Sequence, residues 1–401
     1  MITPAPTLVL RARHLLTLAG EGPAVGEQLF APLKKLDNAA LVVRDGLVAE
    51  VLQNGGAGLP AGAQVRDMGD VCIAPACVNA HTHLQLSHLE GRTVWRKGFA
   101  RWLASLIPLL AEPVSRAAID DACQSMAGVG TGLVGDIAGS LPDGFALARQ
   151  ACRETGLNAR FFCEWFGFAT PFPDEHNPWP PQCCKDIADN LELKTCCAPA
   201  GHALYSTAPE ILRIAQSYCR KINSIFTFHL AESSEETRLL TNGDGPLRDL
   251  YEGIVLPENW RAPGLRPLAY AEELQLLGPG TLAVHGVQLN PQEIRRLAAS
   301  GAALCLCPRS NYNLGLGDPP VNALLESGAL LCLGTDGLTS NTDLDVRKEA
   351  VSLREEMDVP PEALVRLLTV NGAAALGIEG AGQLTPGCPA AFCVLPSSLV
   401  Y

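Results

Sequence analysis

The sequence predicts an α/β protein, a (β/α)8 TIM-type barrel with a small β-sandwich domain formed from both chain ends. Three observations predict it. Short apolar runs alternate with helix-like stretches through most of the chain, the pattern of parallel strands buried on both faces. The two ends lack that alternation and read as strands. Several of the runs end in His or Asp, and a parallel barrel carries its chemistry at the C-terminal ends of its strands.

At the N-terminus, residues 7–11 and 40–43 are short apolar segments, and Asp45-Gly46 between Val43 and Leu47 signals a hairpin. Residues 20–37 are poorly patterned and read as loop. The alternation begins at Val71. Strands are expected at 71–79, 131–137, 159–165, 203–207, 224–230, 281–287, 302–307 and 330–335. Helices are expected between them at 101–110, 116–129, 145–155, 209–220, 291–299 and 321–327. Residues 241–280, rich in Gly and Pro, read as one long connection of the kind that serves as a lid. Two more helices follow at 345–357 and 361–376, and 382–395 reads as a strand pair returning to the N-terminal unit. The small domain is therefore 1–70 with 378–401, and the barrel 71–377. A doubly wound sheet shares this alternation, so the pattern alone leaves closure open.

A length of 401 residues suits one barrel with an appendage, and 47% apolar residues supply its core. With a net charge of −12 and only 30 Lys and Arg, nucleic acid and anionic membranes are poor partners. The 15 Cys are odd in number and scattered through apolar runs, so they read as reduced core thiols rather than a disulfide framework. The adjacent pairs Cys183-Cys184 and Cys196-Cys197 lack zinc-knuckle spacing. Arg11 and Arg13 interrupt the first apolar stretch, which therefore does not read as a signal peptide, and no run is long enough to span a membrane. The expected location is cytoplasmic, and self-association into a homo-oligomer is compatible with the sequence.

His81-Thr82-His83 follows the first expected barrel strand, and residues two apart on a strand point to one side, so both rings can meet one metal. His229, His285 and Asp336 end three other strands. A lone strand-end His is ordinarily structural, and a lone Thr335-Asp336-Gly337 is ordinarily a turn. Five metal-ligand groups at strand ends make a different case. Such a set suits a divalent ion, zinc first and ferrous iron second, with a position left for water. A bound metal ion lowers the pKa of that water to roughly 7.

The residues around these positions resemble the amidohydrolase superfamily. The matching pieces are Ile73-Ala74-Pro75 through Asn79-Ala80-His81-Thr82-His83, His229-Leu230-Ala231-Glu232-Ser233, Val284-His285-Gly286, Leu333-Gly334-Thr335-Asp336-Gly337 and the late run from Asn371 to Gly377. They cover nearly the whole chain in order. The subgroup they are most similar to holds adenosine, S-adenosylhomocysteine, methylthioadenosine and aminodeoxyfutalosine deaminases and the triazine chlorohydrolases. The resemblance implies one divalent metal on His81, His83, His229 and Asp336. It implies that His285 orients or deprotonates the water, that Glu232 carries a proton to the ring nitrogen, and that Asp336 passes one to the leaving ammonia. His202, near the fourth strand, would contact the substrate. No Lys is placed to form a metal-bridging carbamate, which favours one metal over two.

The expected partner is a small aminated heterocycle or nucleoside. Cys307-Pro308-Arg309-Ser310-Asn311 and His83-Leu84-Gln85-Leu86-Ser87 resemble aminodeoxyfutalosine deaminases, which makes 6-aminodeoxyfutalosine, an intermediate of menaquinone biosynthesis, the first choice of substrate. Arg309 would then pair with the substrate carboxylate, or else brace its loop. Gly337 looks instead like the adenosine and S-adenosylhomocysteine enzymes. Trp102 is placed to stack on a heterocycle or to belong to the core with Phe99, and Glu232 is placed equally well as a helix-start charge. Cyclic-amide or triazine hydrolysis, and a catalytically dead scaffold, are the competing readings. His88, His14 and His176 receive no role.

Overall fold

The computed structural model describes residues 7–53, 58–168, 177–187, 190–378 and 380–400. His176 lies outside them. The chain opens with β1 (Leu8–Leu16), β2 (Lys35–Arg44), β3 (Leu47–Leu52), β4 (Gln64–Asp67) and β5 (Cys72–Pro75). Asp45 and Gly46 join β2 to β3 with φ of 51° and 76°, the left-handed pair that a tight hairpin turn requires. β1 pairs antiparallel with β2 and parallel with β4 and β5.

Next come β6 (Cys77–Thr82), β7 (Thr131–Ala138), β8 (Asn158–Trp165) and β9 (Cys197–Gly201), then β10 (Phe226–Leu230), β11 (Thr281–His285), β12 (Ala303–Leu306) and β13 (Leu330–Leu333). They form two four-stranded sheets, β6-β7-β8-β9 and β10-β11-β12-β13. Every pairing within them is parallel. The sheets are tied at both edges. The His229 amide donates to the His202 carbonyl at 2.8 Å, and the Asp336 amide donates to the His81 carbonyl at 3.0 Å. Asn79 strengthens the second edge, because its side chain donates to the Thr335 hydroxyl at 2.7 Å and accepts from the Thr335 amide at 3.0 Å. Gly334 allows this approach, since a Cβ there would lie 2.8 Å from the His81 amide nitrogen. β14 (Phe392–Val394) returns to pair with β5, completing a six-stranded sheet where the sequence suggested a sandwich.

Helices cover the outer faces with explicit caps. Ser115 caps Arg116–Gly128, Ser233 caps Ser234–Asn242, and Asn290 with Glu293 forms a capping box on Pro291–Ser300. Their apolar stripes and the strand interiors build the main core around Phe226, Phe228, Leu282, Leu304 and Leu331, all at most 1% exposed. No helix among the described residues is long and apolar enough to cross a membrane. The described cysteines are all free, and all but Cys196 and Cys388 are buried.

Four sequence expectations differ from this fold. The run 71–79 is two strands, broken at Ala76, whose amide bonds the Ala391 carbonyl at 3.0 Å; the first half belongs to the six-stranded sheet. The fourth parallel strand is Cys197–Gly201, not 203–207. Pro199 conceals it, because proline lacks the donor that an interior strand needs. Residues 241–280 hold two short helices, Pro246–Tyr251 and Pro267–Glu273, each with proline in its first turn. The helix expected at 361–376 breaks at Thr369 (φ −127°, ψ −97°), whose hydroxyl bonds the Val365 carbonyl at 2.6 Å.

Candidate active site

The carboxyl ends of the parallel strands carry a buried group of imidazoles and carboxylates. His81 Nε2 and His83 Nε2 lie 3.2 Å apart, and Asp336 Oδ1 stands 3.7 Å from the first and 3.4 Å from the second. The His229 ring centroid is 5.0 Å from that of His81 and 5.6 Å from that of His83. His81, His83 and Asp336 form one set of mutually close ligand atoms, and His81, His229 and His285 another. Asp336 and His285 have positive φ, 58° and 76°, and so does Ala231, just beyond His229, at 51°. Left-handed backbone at non-glycine residues costs energy and clusters at functional sites.

Secondary contacts orient these groups. His229 Nδ1 donates to the His202 carbonyl at 2.7 Å, which leaves the Nε2 lone pair free. His285 Nδ1 donates to Asn311 Oδ1 at 3.0 Å, so its Nε2 faces Glu232 Oε1, 3.7 Å away. His202 Nδ1 lies 2.5 Å from the Ser206 hydroxyl. The Ser310 and Ser340 hydroxyls donate to Asp336 Oδ2 at 2.7 and 2.8 Å, so Oδ1 is the oxygen left for the imidazoles. His81 Nδ1 is buried without a partner.

Burial, reinforced by the neighbouring imidazoles, drives His83 down to about 3 and His229 well below its ordinary range. Burial also lowers His202 and His285 to about 4, although Asp336 pulls the other way. These rings are therefore neutral, the form that ligates a metal. Burial opposes ionisation of Asp336, but the His81 hydrogen bond and the adjacent rings hold its carboxyl well below the usual range. Glu232 is the reverse case. Burial first, then Asp336 and Glu236, raise its carboxyl well above the usual carboxylate range. The donor set of neutral imidazoles facing an ionised carboxylate fits a divalent cation, the opposite charge that this cluster lacks among its own side chains.

Glu232 precedes the helix Ser234–Asn242 rather than standing in its first turn; the helix-start carboxylates are Glu235 and Glu236. Glu236 accepts from the Ala231 and Glu232 amides at 3.2 and 2.7 Å, and so sets the turn that presents Glu232 to the cavity. Glu235 accepts from the Phe99 and Ala100 amides at 2.9 and 2.8 Å. That contact fixes the helix Phe99–Leu106 beside the site. Trp102 on this helix lines the cavity, with its indole N–H donating to the Thr339 carbonyl at 3.1 Å.

Arg309 is not among the residues lining the cavity. Its guanidinium forms a fork with Asp343, both bonds at 3.0 Å, reaches Thr342 at 2.6 Å and lies 3.4 Å from Glu349. The expected substrate contact is therefore replaced by loop bracing, because three local oxygen-bearing side chains satisfy the fork. No Lys or Arg is present among the described cavity-lining residues. One wall is apolar, formed by Leu86, Trp102, Leu106, Ile107, Leu110 and Leu141. Sequence reasoning missed Ser310, Ser340 and Glu164. Ser310 lies one residue past the Arg309 that drew attention, and Glu164 was visible as a carboxylate interrupting an apolar strand end.

Buried imidazoles and carboxylates gathered at the ends of parallel strands define an α/β enzyme whose chemistry sits at that face. The chain belongs to the Amidohydrolase family, whose model matches residues 72–400, and it is a hydrolase acting on carbon–nitrogen bonds. A 5-methylthioadenosine/S-adenosylhomocysteine deaminase of Nitratidesulfovibrio vulgaris is 30% identical over 387 residues, covering 90% of this chain and 80% of the relative. An aminodeoxyfutalosine deaminase of Deinococcus radiodurans is 29% identical over 324 residues, covering 76% of this chain and 73% of the relative. Among solved structures, an aminofutalosine deaminase of Helicobacter pylori in complex with methylthio-coformycin gives a TM-score of 0.79 at 22% identity, covering 96% of this chain and 90% of that one. An adenosine deaminase of Xanthomonas campestris with bound zinc gives 0.72 at 23% identity, covering 96% of this chain and 83% of that one. These likenesses in structure establish the fold.

Proposed function

We propose that the protein is a metal-dependent hydrolytic deaminase of an adenine-type nucleoside. The observation that carries this reading is the placement of the Glu232 carboxyl, whose Oε1 lies 3.7 Å from His285 Nε2 in the cavity that His83 and Asp336 also line. Deamination of a purine needs an acid at a ring nitrogen and a base for water, both within reach of one carbon. Glu232 delivers its proton to the ring nitrogen. Neutral His285, held by Asn311, takes a proton from the attacking water. Ionised Asp336 takes the remaining water-derived proton and passes it to the departing amino group, which leaves as ammonia, and His285 returns its own proton to Glu232 Oε1, 3.7 Å away.

His81, His83, His229 and Asp336 would hold the ion, zinc in the first instance and ferrous iron in the second. It would supply a water activated near neutral pH. The two parallel sheets, tied at both edges, are taken to close into a (β/α)8 barrel. The chain ends, with β5, form its small β-domain.

The cavity favours a substrate whose arm is uncharged. Its apolar wall suits an alkyl or alkylthio group, and no described cation faces a carboxylate. That moves the preference from aminodeoxyfutalosine toward methylthioadenosine and adenosine. The N. vulgaris relative, named for methylthioadenosine and S-adenosylhomocysteine, agrees with this choice. The test is ammonia release from adenosine, methylthioadenosine, S-adenosylhomocysteine, aminodeoxyfutalosine, guanine and a chlorotriazine. Methylthioadenosine or adenosine should lead. In Glu232→Gln, kcat should fall at least about a hundredfold with metal content unchanged. Near-normal turnover in that variant would remove the acid role. Chloride or a new carboxylate as the sole product would replace the deaminase reading.

A further inference from the structure

One carboxyl in the cavity has no part in the chemistry above. Glu164 is the penultimate residue of β8, is 5% exposed, and lines the same cavity as Glu232 and His285. Its Oε1 has no hydrogen-bond partner. The Tyr205 hydroxyl, also lining this cavity and 1% exposed, is unpartnered as well. Buried polar atoms in native proteins are nearly always paired, and two unpaired ones in a single cavity point to a ligand that pairs them.

The placement narrows what that ligand group is. β8 contributes none of the proposed metal ligands and neither proton carrier. It lies next to β9, which leads into His202, and β9 abuts β10 with His229. Ligand atoms of Glu164, His202 and His229 all lie within 4.8 Å of one another. The reacting ring must stand at Glu232, His285 and Asp336, because the proton is delivered there. Glu164 and His202 face the part of the substrate next to that ring. The far wall is mainly apolar, and its Ser140 hydroxyl, beside Leu141, already accepts from the Gln85 side chain.

We propose that Glu164 is a specificity-determining residue that hydrogen-bonds a sugar hydroxyl of the nucleoside. The proposal rests on the deaminase reading for the placement of the ring. A hydroxyl both donates and accepts, so it satisfies a carboxyl whether or not that carboxyl carries a proton. The competing occupant of the Glu164, His202 and His229 group is a second divalent ion.

The experiment compares adenosine with 2′,3′-dideoxyadenosine on the metal-loaded wild type, Glu164→Met and Glu164→Gln, with elemental analysis of each protein. The wild type should prefer adenosine by at least about tenfold in kcat/KM, since a site built to bond a hydroxyl rejects the analogue without it. In Glu164→Met the preference should shrink to within about threefold, through KM, at unchanged metal content. Glu164→Gln, which can still bond a hydroxyl, should keep most of it. No preference in the wild type overturns the proposal, and that result needs no variant to fold. Equal loss on both nucleosides in Glu164→Met also overturns it, as does loss of one metal equivalent per chain. Calorimetric binding of inosine against 2′,3′-dideoxyinosine separates the two readings. If no nucleoside of the panel above releases ammonia, the deaminase reading falls. Glu164 is then judged on whether the wild type binds inosine better and Glu164→Met does not.

Discussion

Replacing Ser310 by Ala tests whether Asp336 is a metal ligand held in place by hydroxyls. Ser310 donates to Asp336 Oδ2 at 2.7 Å, Ser340 donates to the same oxygen at 2.8 Å, and the two hydroxyl oxygens lie 2.8 Å apart. Ser310 is fully buried, so water does not replace what is lost. A hydrogen bond to an ionised group contributes about 1.5–3 kcal/mol. Ser340 still holds the carboxylate in the single variant, so the loss belongs at the lower end. At about 1.4 kcal/mol per decade, metal affinity should fall about tenfold in Ser310→Ala. It should fall by more in Ser310→Ala/Ser340→Ala, with a coupling that a double-mutant cycle resolves. The range agrees with the roughly 10–100-fold effect of removing a residue that supports a metal ligand. The assay is competition for zinc with a chromophoric chelator, and circular dichroism verifies the fold. An affinity within about twofold of wild type in the double variant would refute the ligand role of Asp336 or the idea that Oδ1 is the free oxygen.

Two further outcomes follow from groups outside the ligand set. Burial raises the Asp136 carboxyl to about 8, against a bond from the Leu84 amide at 2.8 Å. The folded state thus keeps a proton that the unfolded chain releases near its ordinary 3.8. This contribution is full below about pH 4, is lost as pH rises to about 8, and is flat beyond. Asp136→Asn should remove that slope and raise Tm at pH 8–9 by about 2–6 °C; an unchanged pH–Tm curve would count against it. Arg309→Met leaves buried Glu349 without its cation, while Asp343 keeps Lys348 at 2.9 Å, and should destabilise the fold by about 3 kcal/mol in denaturant unfolding. It should affect kcat/KM for aminodeoxyfutalosine and adenosine alike; a loss confined to aminodeoxyfutalosine would restore the substrate contact.

The strand-end residues were legible because their signal is local. His81 and His83 alternate on one strand, and His229, His285 and Asp336 each close an apolar run, so hydropathy and residue type suffice to find them. Ser310 and Ser340 were not legible, since a hydroxyl means little until the fold brings two segments 30 residues apart onto one oxygen. Pro199 hid β9 because proline argues against a strand interior, yet β9 is the edge strand of its sheet, where proline is tolerated. The break at Ala76 was hidden by an unbroken apolar run that serves two sheets. Arg309 misled for a related reason. An Arg in an acidic chain looks like an anion receptor, yet the acidic partners Asp343 and Glu349 come from the next strand's loop and helix.

Those pairings bear on the whole cavity. Its described lining carries Glu164, Glu232 and Asp336, four neutralised histidines and no Lys or Arg. Such a pocket is hostile to a buried anion, because a carboxylate brought inside would lose its water and gain no counter-charge. It favours a cation at the ligand end and a neutral, hydroxyl-bearing molecule in the remainder. The same low-dielectric surroundings that push the imidazoles down push the Glu232 carboxyl up. In the proposed mechanism, metal binding and ring protonation would therefore share one cause, the exclusion of water from the strand ends. A substitution that admits water, such as a polar side chain at Leu106 on the apolar wall, would weaken both together.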